Sequence, residues 1–121
     1  MDKKLEKDVS QLAEEFRNAQ KILTALGDEN RQHLIIEMMQ MGDCSGVRVG
    51  DITQKTNLSR PAVSHHLQIL KDAGILKVRK EATRNYYYFD PDNMSLDRLI
   101  HILEQTKKIT CSLPDRSGED D

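Results

Sequence analysis

Residues 57–76 read NLSRPAVSHHLQILKDAGIL, an order that spells a helix with its cap, its stop and the chain leaving it. Ser59 is placed to cap the N-terminus. Pro61 falls in the first turn, where a missing N–H costs nothing. Val63, Leu67 and Leu70 recur at helical spacing and predict one buried stripe. The opposite face carries Arg60, Ser64, His65, Gln68 and Lys71, a row of hydrogen-bonding and cationic side chains. Gly74 ends the helix, as a residue free to adopt positive φ should. A short helix of this kind, leading into a β-hairpin, suits the second helix of a helix-turn-helix.

The flanking residues complete the unit. Residues 49–56, VGDITQKT, form a short helical stretch whose Ile52 can pack against the Val63 stripe, and Asn57-Leu58 make the turn. Beyond Gly74, residues 75–80 and 85–89 read as two strands, joined by Glu81-Ala82-Thr83-Arg84 with an arginine near the tip. The expected fold class is mainly α with a small β-hairpin: a winged helix-turn-helix that reads double-stranded DNA. The alternative is a winged helix that binds protein without specific DNA binding, with His65 and Gln68 facing a partner chain.

Three stretches carry a family resemblance. LGDENRQHLIIEMMQMGD at 26–43, VGDITQKTNLSRPAVSHHLQILKDAGIL at 49–76 and the hairpin after it resemble the ArsR/SmtB family of bacterial repressors. The match runs in register over residues 21–89, and its most specific part is Ser64-His65-His66-Leu67 followed by Leu70 and Ala73-Gly74. Leu26-Gly27-Asp28 with Arg31 matches the start of the family's second helix. The resemblance implies a homodimer that represses an operator and releases it when an inducer binds.

At 121 residues the chain is expected to be one domain, small enough that a partner subunit would help bury its apolar surface. It is 37% hydrophobic and 31% charged without a long apolar run, so a soluble, cytoplasmic protein with no membrane partner is expected. The net charge of −2 looks wrong for a DNA binder until it is divided. Residues 48–89 hold eight basic and three acidic side chains, a balance of +5. Residues 1–45 and 112–121 each stand at −3. A basic centre between acidic arms is the polarity of a protein that docks on DNA by one surface.

Residues 1–111 are read as a single winged-helix domain, with the reader at 49–74, the wing at 75–89 and dimerisation helices at 5–25 and 95–110. Leu5, Val9, Leu12, Phe16, Ala19, Ile22, Leu23 and Leu26 recur every three or four residues, which predicts one long amphipathic helix over 5–25. Asp28 caps the next helix, which runs to Met41 and offers Leu34, Ile35, Met38 and Met39 to the core. Residues 42–46 make a turn, and 47–49 a short strand bridging to the hairpin. Ser95 caps a last helix to Thr110, with Leu96, Leu99, Ile100 and Leu103 on its apolar face. The acidic end, 112–121, is expected to be a disordered tail.

Arginine matches the acceptors of guanine and glutamine the donor–acceptor pair of adenine, so Arg60 and Gln68 are the candidates for direct base contact. Ser64 and His65 share that face and can reach a base or a phosphate, as can Lys71. His66 adjoins the buried stripe and reads as a boundary residue. Arg79, Lys80 and Arg84 on the wing suit the sugar-phosphate backbone or the minor groove. The family usually has a glycine in this turn, where Ala82-Thr83 stands here. Tyr86, Tyr87, Tyr88 and Phe89 read as strand residues and not as a base-stacking platform.

Many relatives sense metals, so the resemblance also supplies sites to compare. One uses a Cys-x-Cys pair; Arg48 and Gly50 stand there in this chain and cannot hold a soft metal. Another uses paired ligands on the last helices. His101 and Glu104 supply half of it, but only Asp90 and Asp92 offer oxygen near the other half, so His101 and Glu104 read as a surface i, i+3 pair. No metal and no cofactor are therefore expected. Other relatives use two cysteines as a thiol switch, and Cys44 and Cys111 lie in similar regions; the alternative is two unconnected free cysteines. With no phosphate loop, nucleophile elbow or paired carboxylates, the chain is not expected to be an enzyme. The residues leave the chemistry of the inducer open.

Overall fold

The structure is a computed structural model that describes residues 2–42, 46–93 and 95–114. Its elements follow in the order α1 (Lys3–Asn18), α2 (Gln20–Leu26), α3 (Glu29–Met41), α4 (Val49–Lys55), α5 (Arg60–Asp72), β1 (Lys77–Glu81), β2 (Arg84–Tyr88), a 3-10 turn (Pro91–Asn93) and α6 (Leu96–Cys111). The strands pair antiparallel, with Lys77 opposite Tyr88 and Glu81 opposite Arg84. Among the described residues no helix is long and apolar enough to cross a membrane.

Two apolar clusters hold the elements together. The larger gathers Leu34 and Met38 of α3, Ile52 of α4, Val63, Leu67 and Leu70 of α5, and Val47, Ile75, Leu76 and Tyr87 around the hairpin. The stripe expected on α5 is thus fully buried, and Ile52 joins it. Val47 exchanges both backbone hydrogen bonds with Tyr87, at 2.8 Å each, so the bridge to the hairpin is one residue long and Val49 already belongs to α4. The smaller cluster joins Ala19 and Ile22 to Ile102 of α6, with Leu12, Phe16 and Leu99 packed against it.

Four sequence expectations need correction. The helix expected over 5–25 is two helices, broken at Ala19 with φ −106° and ψ 13°. Ala19 is fully buried beside Ile102, so the bend lets α1 and α2 both wrap α6, and the Phe16 carbonyl accepts from the Ala19 backbone amide at 3.2 Å and from Gln20 Nε2 at 2.9 Å. Met39 is exposed, because α3 turns Arg31, Leu34 and Met38 inward instead. Leu103 and Ile100 also face outward; α6 buries Ile102 and Ile109. The strands begin and end later and earlier than expected at their outer ends, since the amides of Ile75 and Leu76 bond back to the Leu70 carbonyl and finish the helix rather than the ladder.

The caps fall where the residues suggest. Asp28 accepts from the Arg31 amide at 3.1 Å and Ser59 from the Ala62 amide at 3.3 Å. Ser95 occupies the cap position of α6, but its side chain makes no capping bond. Gly74, at φ +78°, closes α5: its amide bonds to Lys71 O and that of Ile75 to Leu70 O, the paired bonds of a Schellman stop. A Cβ at Gly74 would run into Ser95 Oγ, and the Ser95 amide bonds to the Gly74 carbonyl at 3.1 Å, so the end of α5 is pinned to the start of α6.

Candidate nucleic-acid interface

Helix α5 turns one face to solvent. Arg60, Ser64, His65, Gln68 and Lys71 are all exposed, while Val63, Leu67 and Leu70 are buried beneath them. The 3.6-residue period thus separates an exposed polar row from buried anchors on one helix. The Arg60 guanidinium lies beside Gly50 at the start of α4, where a side chain would come within 3.5 Å of Nη1. Gln68 donates to Asp72 Oδ1 at 2.9 Å, an intrahelical bond between exposed groups that must open for Gln68 to reach a base.

The strand alternation sorts the wing. Val78, Lys80, Asn85 and Tyr87 share the face turned toward α5; Arg79, Glu81, Arg84 and Tyr86 share the other. A cleft of about 290 Å³ between helix and hairpin is lined by Gln68, Lys71, Val78, Lys80, Asn85 and Tyr87. Lys71 and Lys80 flank it from opposite sides. On the outer face the Arg79 guanidinium stacks 4.8 Å over the Tyr86 ring and pairs with Glu81 at 3.5 Å. Arg84 is exposed at the turn, where Ala82 holds φ +56°. The wing therefore offers Lys80 to the helix side and Arg84 at the tip, with Arg79 tied down. Asn85, which sequence reading passed over, could have been found by counting two residues back from the buried Tyr87.

A second feature escaped the sequence reading. Arg31 is only 7% exposed, and its guanidinium donates to the carbonyls of Ala25 at 2.8 Å and Thr24 at 2.9 Å. Its Nη1 lies 3.3 Å from His66 Nδ1 on α5 and 3.9 Å from Asp28 Oδ2. The Arg31 amide, with its guanidinium and His66 adding, holds the Asp28 carboxyl below its ordinary value. Burial, with Arg31 and His65 adding, holds His66 below its ordinary value against the pull of Asp28. The sequence signal was a cation three residues into a capped helix, at the i−3 position to Leu34 and so on the edge of the buried stripe.

The sensor candidates are dispersed. His101 does not pair with Glu104; it meets Glu15 of α1 at 3.2 Å, because its place on α6 faces α1 across the groove. Among the described residues no group of three or more His, Cys, Asp or Glu is placed to hold a metal ion. Cys111 is an exposed free thiol at the last residue of α6. Cys44 lies outside the described residues, as does most of the expected tail.

Comparison with known proteins agrees with this geometry. Residues 33–78 match the family model described as bacterial regulatory protein, arsR family. An uncharacterized HTH-type transcriptional regulator of Methanocaldococcus jannaschii, MJ1325, is 37% identical over 81 residues, 67% of this chain and 88% of its own length. The transcriptional repressor SdpR of Bacillus subtilis is 33% identical over 66 residues, 54% of this chain and 69% of its own. The homodimeric winged helix-turn-helix domain of Mb0332 from Mycobacterium bovis superposes with a TM-score of 0.55 at 23% identity, over 82% of this chain and 86% of that one.

Proposed function

The chain belongs to the arsR family of bacterial regulatory proteins and is a winged-helix transcriptional regulator, and from that premise we propose how it works. It acts as a homodimeric repressor that reads a twofold operator with α5, grips the flanking phosphates with the wing, and lets go when an inducer binds. The observation that carries this reading is the exposed row Arg60, Ser64, His65, Gln68 and Lys71 set against the Lys71–Lys80 cleft, within a segment of net charge +5.

In this reading Arg60 and Gln68 meet base edges and Ser64 and His65 stand between them and the backbone. Lys71, Lys80 and Arg84 take phosphates, with Arg79 joining once Glu81 lets it go. The dimer is supported by what the monomer leaves uncovered. Helix α1 has no fully buried residue, and Val9, Ile100 and Leu103 stay exposed on the two helices expected to form the interface. The relatives' names support repression and pairing: SdpR is a repressor, and the Mb0332 domain is homodimeric. A cytoplasmic location follows from this work on DNA. An inducer reaching either α1 or α6 would act on the same pair of helices; a thiol switch would draw on Cys111 with Cys44.

The test is a gel shift with duplex from the region upstream of the chain's own coding sequence, competed by scrambled duplex, with and without metals and mild oxidants. Specific retardation at low micromolar protein or below supports the reading. Retardation that scrambled duplex competes away as readily as unlabelled upstream duplex contradicts it.

A further inference from the structure

We propose that Arg31 and His66 are positioning residues of the reader helix, linking the end of α2 to α5 so that operator specificity depends on one hydrogen bond, Arg31 Nη1–H to His66 Nδ1. The proposal rests on α5 being the DNA reader.

The geometry begins at the last turn of α2. A helix end leaves its final carbonyls without intrahelical donors, and Arg31 of α3 supplies two, to Thr24 O and Ala25 O. The same planar guanidinium extends its remaining edge to His66, 35 residues along the chain. Arginine has donors and no acceptor, so His66 Nδ1 must be the acceptor. The neutral ring then carries its proton on Nε2, which leaves Nε2–H as its donor. His66 sits on α5 between the buried stripe and His65, an exposed member of the reading face whose ring centroid is 5.9 Å away.

What lies on the other side of Arg31 gives the link its use. Helix α2 packs Ile22 with Ala19 against Ile102 of α6. A shift of α6 therefore moves α2, the Thr24 and Ala25 carbonyls move the guanidinium, and the guanidinium moves His66. The Arg31–His66 bond joins the smaller cluster to the reader by a polar contact with one geometry, where apolar packing alone would tolerate sliding.

Protonation is the natural way to break it. A protonated imidazole cannot accept from Arg31 and sets a second positive charge beside it. The charged groups facing His66 are Asp28 and Arg31 from α3 and His65 on its own helix; burial, with Arg31 and His65 adding and Asp28 opposing, holds the ring below its ordinary value. Specificity should thus fall on acidification, while attraction to phosphate in general does not.

The experiment uses the full chain and a duplex that it selects from a random-sequence pool, with a scrambled duplex as reference. Preference for the selected duplex is measured from about pH 7.5 to about pH 5.5 for wild type, His66→Gln, His66→Ala and His65→Gln. Glutamine can accept from Arg31 and does not titrate, so His66→Gln should keep the preference and hold it flat with pH. His66→Ala should lower it about tenfold at the upper pH, the effect of removing a hydrogen bond to a charged group. His65→Gln removes a side chain of the reading face and so shifts the preference at every pH, but the preference should still fall on acidification as in wild type. Nitrogen-15 NMR of the histidine rings should show His66 protonated at Nε2 in the free protein. A His66→Ala protein with wild-type preference and pH profile, or an Nδ1-protonated ring, overturns the proposal alone. A wild-type chain that selects no duplex overturns the DNA reading and the proposal with it.

Discussion

His101 Nε2 lies 3.2 Å from Glu15 Oε1 and so ties the last helix to the first within one chain. A metal at His101 would have to take the ring from Glu15, and the Cys-x-Cys positions hold Arg48 and Gly50. Zinc titration against a competing chelator should therefore find no submicromolar site. Tight binding that His101→Ala abolishes would overturn this expectation. Because the pair is half exposed, His101→Ala should cost stability only about 0–1 kcal/mol.

Ala82 opens the wing turn at φ +56°, a region that costs an L-residue about 1–2 kcal/mol. Glycine removes that strain and gives back about 0.5–1 kcal/mol of it as lost chain entropy. Ala82→Gly should raise the free energy of unfolding by a net of about 0.5–1 kcal/mol, read as a higher denaturation midpoint, without altering base preference. A lower midpoint would show that the turn carries no such strain.

Acid should weaken the fold through the Arg31 hub. His66 is held below its ordinary value of 6.5, so its contribution is full above that pH and is lost as pH falls toward the lowered value. Asp28 is held below 3.8, and its contribution is present above that pH and lost as pH falls through the lowered value. The urea midpoint of wild type should drop below that of His66→Gln as pH falls from about 7 to about 5. Parallel curves over that range would contradict the direction assigned to His66.

Leu103 and Ile100 project from α6 beside a first helix that buries nothing completely. A charge there should cost a dimer far more than a monomer, because it would be desolvated without a partner. Sedimentation at micromolar concentration should find wild type dimeric and Leu103→Glu monomeric, with unchanged helix content. A dimer that survives Leu103→Glu would place the interface elsewhere.

The reader was legible because period, cap and stop all pointed one way. Ser59, the Val63–Leu67–Leu70 stripe and Gly74 each do locally what their chemistry favours, and each was found in place. The α1–α2 break was hidden, since Ala19 is a good helix former and continues the apolar spacing; only its burial against Ile102 requires the bend. Met39 was misplaced and the buried Ile102 passed over for a related reason. Periodicity marks an apolar stripe but does not say which edge a neighbour covers. Arg31 was seen as part of a motif and not as a hub, because its partners come from α2 and α5 and no local pattern announces them. The sidedness of the wing cations needed the strand register, which Glu81 opposite Arg84 supplied.

One competition experiment decides whether α5 reads bases while the wing holds phosphates. The preference for a selected duplex over a scrambled one is compared for wild type, Arg60→Ala and Lys80→Ala across a salt series. Arg60→Ala should lose about 1–3 kcal/mol of preference if its contact is bidentate. Lys80→Ala should keep the preference, weaken both duplexes alike and lower the salt slope by about one. If Lys80→Ala lost the preference and Arg60→Ala kept it, the wing would be the base reader and α5 the phosphate grip, contrary to the roles proposed for them.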